Sequence, residues 1–69
     1  MKISARNQLQ GSVKAIHRGA VNSEVVITLP GGQEIVAIVT NSAVDTLGLK
    51  DGKKAYAVIK ASSVLLGVD

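Results

Sequence analysis

The segment from Glu34 to Thr40 constrains the fold more than any other stretch: Ile35, Ala37 and Val39 alternate with Val36 and Ile38, so both faces of an extended chain are apolar. A strand that meets water on one side alternates apolar with polar residues, and a continuous apolar run is covered on both sides. Sixty-nine residues make one domain at most, with too little interior to cover such a strand twice. Hydrophobic residues are 46% of the chain, almost all of them Ala, Val, Ile and Leu, with Tyr56 the only aromatic. A second copy is needed to cover the surplus, so a homo-oligomer with large aliphatic interfaces is expected.

Other supports for a small domain are missing. A single core of this size supplies roughly 3–5 kcal/mol unless disulfides, a metal or self-association assist. There is no cysteine, and His17 with five scattered carboxylates does not make a structural zinc site. Eight Lys and Arg against five Asp and Glu give a formal net charge of +3, which favours anions without announcing a nucleic-acid binder. No apolar run approaches the ~20 residues that span a bilayer, and the N-terminus has no signal-peptide core, so cytoplasmic residence is the expectation.

Punctuation falls at Gly11, Gly19, Pro30-Gly31-Gly32, Gly48, Asp51-Gly52 and Gly67. Between these marks the sequence predicts strands over about Ile3–Ile16, Val21–Leu29, Glu34–Thr40, Lys53–Lys60 and Val64–Val68. Leu9, Val13 and Ile16 anchor the first, and Gly11 marks a bulge or sharp bend in it. Ser42 with Asp45 three residues later resembles a capping box, and Val44, Leu47 and Leu49 stopped by Gly48 read as a helix of about two turns. Five strands with one short helix between the third and fourth is the order of an all-β, OB-fold-like Greek-key barrel.

Catalysis finds no constellation here. His17 sits between Ile16 and Arg18 before a glycine and reads as a solvated strand-end residue, while Glu24, Glu34, Asp45, Asp51 and Asp69 adjoin turns or exposed strand positions. Gly31-Gly32 precedes a strand, not a helix, so it is not a phosphate loop. An OB-type module for single-stranded nucleic acid stacks bases on several aromatics. Tyr56, flanked by alanines, is one candidate and reads better as a buried or interface residue.

A dehydrated oxyanion needs converging donors and cations. Ser4, Arg6 and Asn7 supply a hydroxyl, a guanidinium and an amide within four residues, and Lys60, Ser62 and Ser63 supply an ammonium and two hydroxyls. Ser4 with Arg6, and Lys60 with Ser62, share a side of an extended strand. Neither cluster encloses an anion from one side, whereas two facing clusters do. The bland alternatives are a turn at Ser62-Ser63, an interface ion pair at Arg6, and an assembly protein whose anion sites are incidental.

The stretches "ISARNQLQGSV", "GAVNSEV" and "VIKASSV" resemble the molbindins, small cytoplasmic proteins that bind molybdate and tungstate. The resemblance covers essentially the whole chain. It implies OB-like barrels assembled as a hexamer, a trimer of dimers, with oxyanions held between subunits in two classes of site. In one class Ser4, Ala5, Arg6 and Asn7 of one subunit would face Lys60, Ala61 and Ser62 of a neighbour. A threonine and a serine at the helix start also contribute in the family; Thr40 matches, but Ala43 stands at the usual serine position, so Ser42 is either a substitute or only the helix cap. The second class, near the three-fold axis, is associated with Gly19, Ala20, Val21 and Asn22, whose plainer reading is a β-turn. The expected function is molybdate storage or buffering without catalysis, a membrane or a nucleic acid.

Overall fold

The computed structural model describes all 69 residues. Four strands form one antiparallel sheet: β1 (Asn7–Arg18), β2 (Asn22–Thr28), β3 (Glu34–Thr40) and β4 (Lys54–Ile59), with α1 (Asn41–Thr46) after β3 and a 3-10 turn at Ala61–Ser63. Their order, β3-β2-β1-β4, places the fourth strand beside the first, which is the Greek-key arrangement.

The all-β class, the Greek key and the helix between the third and fourth strands agree with expectation, but the strand count is four, not five. Val64–Val68 pairs with no strand, and Leu65, Leu66 and Val68 are more than nine-tenths exposed. Its strand-like composition finds no free partner within its own chain. β1 carries the consequence. Residues 7–12 pair with β4 and residues 12–18 with β2, so the two ladders overlap only at Ser12 and the sheet curls around that point.

Gly11 sits next to that junction for a steric reason. A Cβ there would lie 2.4 Å from the Thr28 carbonyl oxygen and 2.7 Å from the Ile27 side chain. The expected bulge falls instead between Val13 and Ala15. β1 also begins at Asn7, not Ile3, so Ser4 and Arg6 precede the strand, and Lys60 follows β4; the shared strand face expected for each pair does not exist.

The core is small: Val13, Val25, Ile27 and Val44 cluster together, with Ile16, Leu29, Val39, Leu49 and Ala55 packed against them. Only six residues are buried, one of them the polar Ser23. Period-two alternation in β3 turns Ile35, Ala37 and Val39 inward and leaves Val36 and Ile38 exposed, so the second apolar face of this strand is uncovered.

Helix α1 is capped differently from expectation. Thr40, not Ser42, is the N-cap: its Oγ1 accepts the Ala43 N–H at 3.0 Å. The C-terminal stop matches. Gly48 takes φ +62, its N–H donates to the Asp45 carbonyl, and the Leu49 N–H donates to that of Val44, a Schellman pair that seats Leu49 against the core.

Candidate functional site

Asn7 pairs with Ile59 at the start of β1, so the residues just before Asn7 and just after Ile59 leave the sheet side by side. Ser4, Ala5, Arg6, Val58, Lys60 and Ala61 consequently line one open recess of about 520 Å³. The two polar clusters therefore meet within a single chain, because β1 and β4 are neighbours, and no subunit boundary is required to join them. Asn7 and Ser62 flank the recess without lining it. Val58 was not expected; it lines the recess from the end of β4, one residue before the strand stops at Ile59.

The polar groups around the recess divide by sign. Three carbonyls are engaged: Gln8 Nε2 donates to that of Ala5 at 2.6 Å, the Ser63 N–H to that of Lys60 at 2.9 Å, and the Val64 N–H to that of Ala61 at 3.3 Å. Among the donors, the Ser4 hydroxyl, Arg6 guanidinium and Lys60 ammonium have no hydrogen-bond or ion-pair partner in the chain. The two ion pairs, Lys14 with Glu34 and Arg18 with Asp45, lie elsewhere. No carboxylate lines the recess. Two unneutralised cations, a free hydroxyl and occupied carbonyls form a surface complementary to an anion and repulsive to a cation.

The recess is too roomy to grip a small anion alone, since its volume equals that of on the order of 15 waters. Thr40 and Ser42 do not narrow it from the same chain. Thr40 ends β3 and Ser42 follows it, beside the start of β2, where Asn22 pairs with Thr40. The 12 residues of β1 separate the two places.

The far end carries the Gly19–Asn22 turn. Its Gly19 N–H donates to the Asn22 carbonyl at 2.8 Å, and the Asn41 N–H donates to the Val21 carbonyl at 2.9 Å. The N–H groups of Ala20 and Val21 meet no acceptor, and both residues are exposed. Tyr56 is 43% exposed, with the Lys54 ammonium 5.5 Å from its ring centre. No second aromatic exists to build a stacking platform with it. No cluster of His, Asp or Glu is set to hold a metal ion, and no helix is long and apolar enough to cross a membrane.

The TOBE domain model matches residues 3–66. A probable molybdenum-pterin-binding protein of Haemophilus influenzae is 52% identical over 69 residues, covering all of both chains. Among solved structures, MopII from Clostridium pasteurianum superposes with a TM-score of 0.92 at 40% identity, over 97% of this chain and all of that one. The cytoplasmic molybdate-binding protein ModG, solved with molybdate bound, superposes with a TM-score of 0.96 at 58% identity. The match takes in all of this chain and 49% of ModG. With the family model spanning nearly every residue and a full-length relative at this identity, the chain belongs to the TOBE domain family, among its small molybdate-binding Mop proteins.

Proposed function

We propose that the protein binds molybdate, and tungstate with it, at contacts between copies of a homohexamer built as a trimer of dimers, and so stores and buffers the oxyanion in the cytoplasm. One observation carries this reading: the recess brings together the Ser4 hydroxyl, the Arg6 guanidinium and the Lys60 ammonium, all unpartnered, with no carboxylate among its lining residues. Molybdate is a dianion at neutral pH, and two cations offset its charge while hydroxyl and amide donors replace its water. Ser4, Ala5, Arg6, Lys60 and Ala61 form one wall, with Asn7 and Ser62 adjoining it in sequence. Thr40 and Ser42 of a second copy form the other, which closes a recess too wide in one chain.

The uncovered aliphatic surface supports the assembly. Val36, Ile38, Leu65, Leu66 and Val68 are exposed together with Val21 and Leu47, far more apolar surface than a core of five small hydrophobics balances. The Gly19–Asn22 turn supplies the second class of site through the N–H groups of Ala20 and Val21. Discrimination against sulfate, smaller and equally charged, then rests on the cavity size that the assembly fixes.

Native mass spectrometry with and without molybdate tests both parts together. Six chains with bound oxyanions are expected. A monomer that takes up molybdate at full strength overturns the interface reading, and equal weak binding of sulfate, phosphate and molybdate leaves only a passive assembly. Gel shifts with short single strands check the nucleic-acid alternative, and no shift is expected.

A further inference from the structure

We propose that Asn41 is the positioning residue of the second oxyanion site, an assignment that rests on the reading of the Gly19–Asn22 turn given above. Asn41 stands at the first position of α1 and reaches across to the turn with two donors. Its Nδ2 donates to the Gly19 carbonyl and its backbone N–H to the Val21 carbonyl, each at 2.9 Å. Its Oδ1 accepts from the hydroxyl of Ser23, which is 1% exposed. The Gly19 carbonyl, which only accepts, fixes which end of the carboxamide faces the turn, and the buried Ser23 hydroxyl completes the arrangement by donating to the oxygen on the other side.

The result is a turn with three of its four carbonyls tied and the amides of Ala20 and Val21 free. Gly19, Val21 and Asn22 all have their oxygens engaged, the last by the Gly19 N–H. Ala20 and Val21 are left with amides that meet no acceptor. The turn also admits no side chain at Gly19, where a Cβ would sit 2.8 Å from the Asn22 oxygen. A backbone held in this way loses little freedom when an oxyanion arrives, so the binding free energy is not consumed in ordering the loop. Asn41 itself need not touch the ligand.

Amide chemical-shift titration of the assembled protein with sodium molybdate tests the proposal. In the wild type, Ala20 and Val21 amides shift on titration, as do Arg6 and its neighbours. In Asn41→Ala the Ala20 and Val21 response weakens about tenfold in affinity, the size expected for losing a positioning hydrogen bond. The Arg6 response and the hexamer mass stay as they were, a split that general destabilisation does not produce. Ser23→Ala, which frees the carboxamide to rotate without removing it, gives a smaller loss in the same direction and decides the matter if Asn41→Ala does not fold. Wild-type affinity at Ala20 and Val21 in a folded Asn41→Ala, or in Ser23→Ala if that variant alone folds, overturns the positioning role. Absence of any Ala20 or Val21 response in the wild type overturns the second site itself, and the proposal with it.

Discussion

The two ends of β1 treat their polar groups in opposite ways. At the Arg18 end they are committed within the chain: Arg18 to Asp45 at 2.7 Å, Ser23 to Asn41, Asn41 to Gly19, and Thr40 Oγ1 to Ala43. At the Asn7 end the Arg6 and Lys60 cations and the Ser4 hydroxyl have no partner, while Gln8 and the backbone of Ser63 and Val64 engage the carbonyls of Ala5, Lys60 and Ala61. One end is a finished structure that supports exposed backbone donors; the other is half of a structure. Under the proposed function, these ends would offer two kinds of anion contact, one from backbone held rigid and one from side chains left free.

The sharpest way to break this contrast is to empty the unfinished end. Arg6→Ala and Lys60→Ala should each weaken molybdate binding by about 1.5–3 kcal/mol, the range for a charged hydrogen bond, and the double variant should bind little at that site. Titration calorimetry on all three checks this, and wild-type affinity in both single variants removes the assignment. Next comes the tail. Leu65→Asp with Leu66→Asp should release the assembly to smaller species at micromolar concentration, seen by sedimentation velocity, because charges replace aliphatics that are exposed in the single chain. Gly11→Ala should cost about 1–3 kcal/mol in urea unfolding as the new methyl meets the Thr28 carbonyl.

Smaller effects sharpen the contrast further. Thr40→Ala should cost about 1 kcal/mol through the lost cap. It should also weaken molybdate binding, whereas Thr40→Ser, which keeps the hydroxyl, should restore both in parallel unfolding and binding titrations. Asp45→Asn removes an ion pair whose side chains are 50% and 70% exposed, and a change under about 0.5 kcal/mol is expected by thermal unfolding.

Local signals were readable from the sequence, and signals that depend on other parts of the fold were not. β3 matches its expected span from Glu34 to Thr40, and Gly48 ends the helix where its neighbours require a left-handed residue. Val64–Val68 reads as a strand because its composition is that of a strand, but a strand exists only through a partner, and none is present in one chain. Thr40 and Ser42 are both competent caps two residues apart, and only the β2–β3 register, which brings Thr40 opposite Asn22, decides between them. The recess was legible in part: the expected Greek key already sets β4 beside β1, but the expectation for Ser4–Asn7 and Lys60–Ser62 was a meeting between copies, not neighbours leaving paired strand ends. Asn41 was missed because its role comes from a buried serine 18 positions earlier; a polar amide between a strand end and a helix was the one available hint.

The crowding around Gly11 has a consequence for selection experiments. In a library of single substitutions sorted only for soluble expression, this position should be stripped of every side chain even with no oxyanion present, while Arg6 and Lys60 pass freely. Sorting the same library under molybdate limitation should reverse the pattern of new losses, so that the order in which positions are depleted separates scaffold from cargo contact without a structure of any variant.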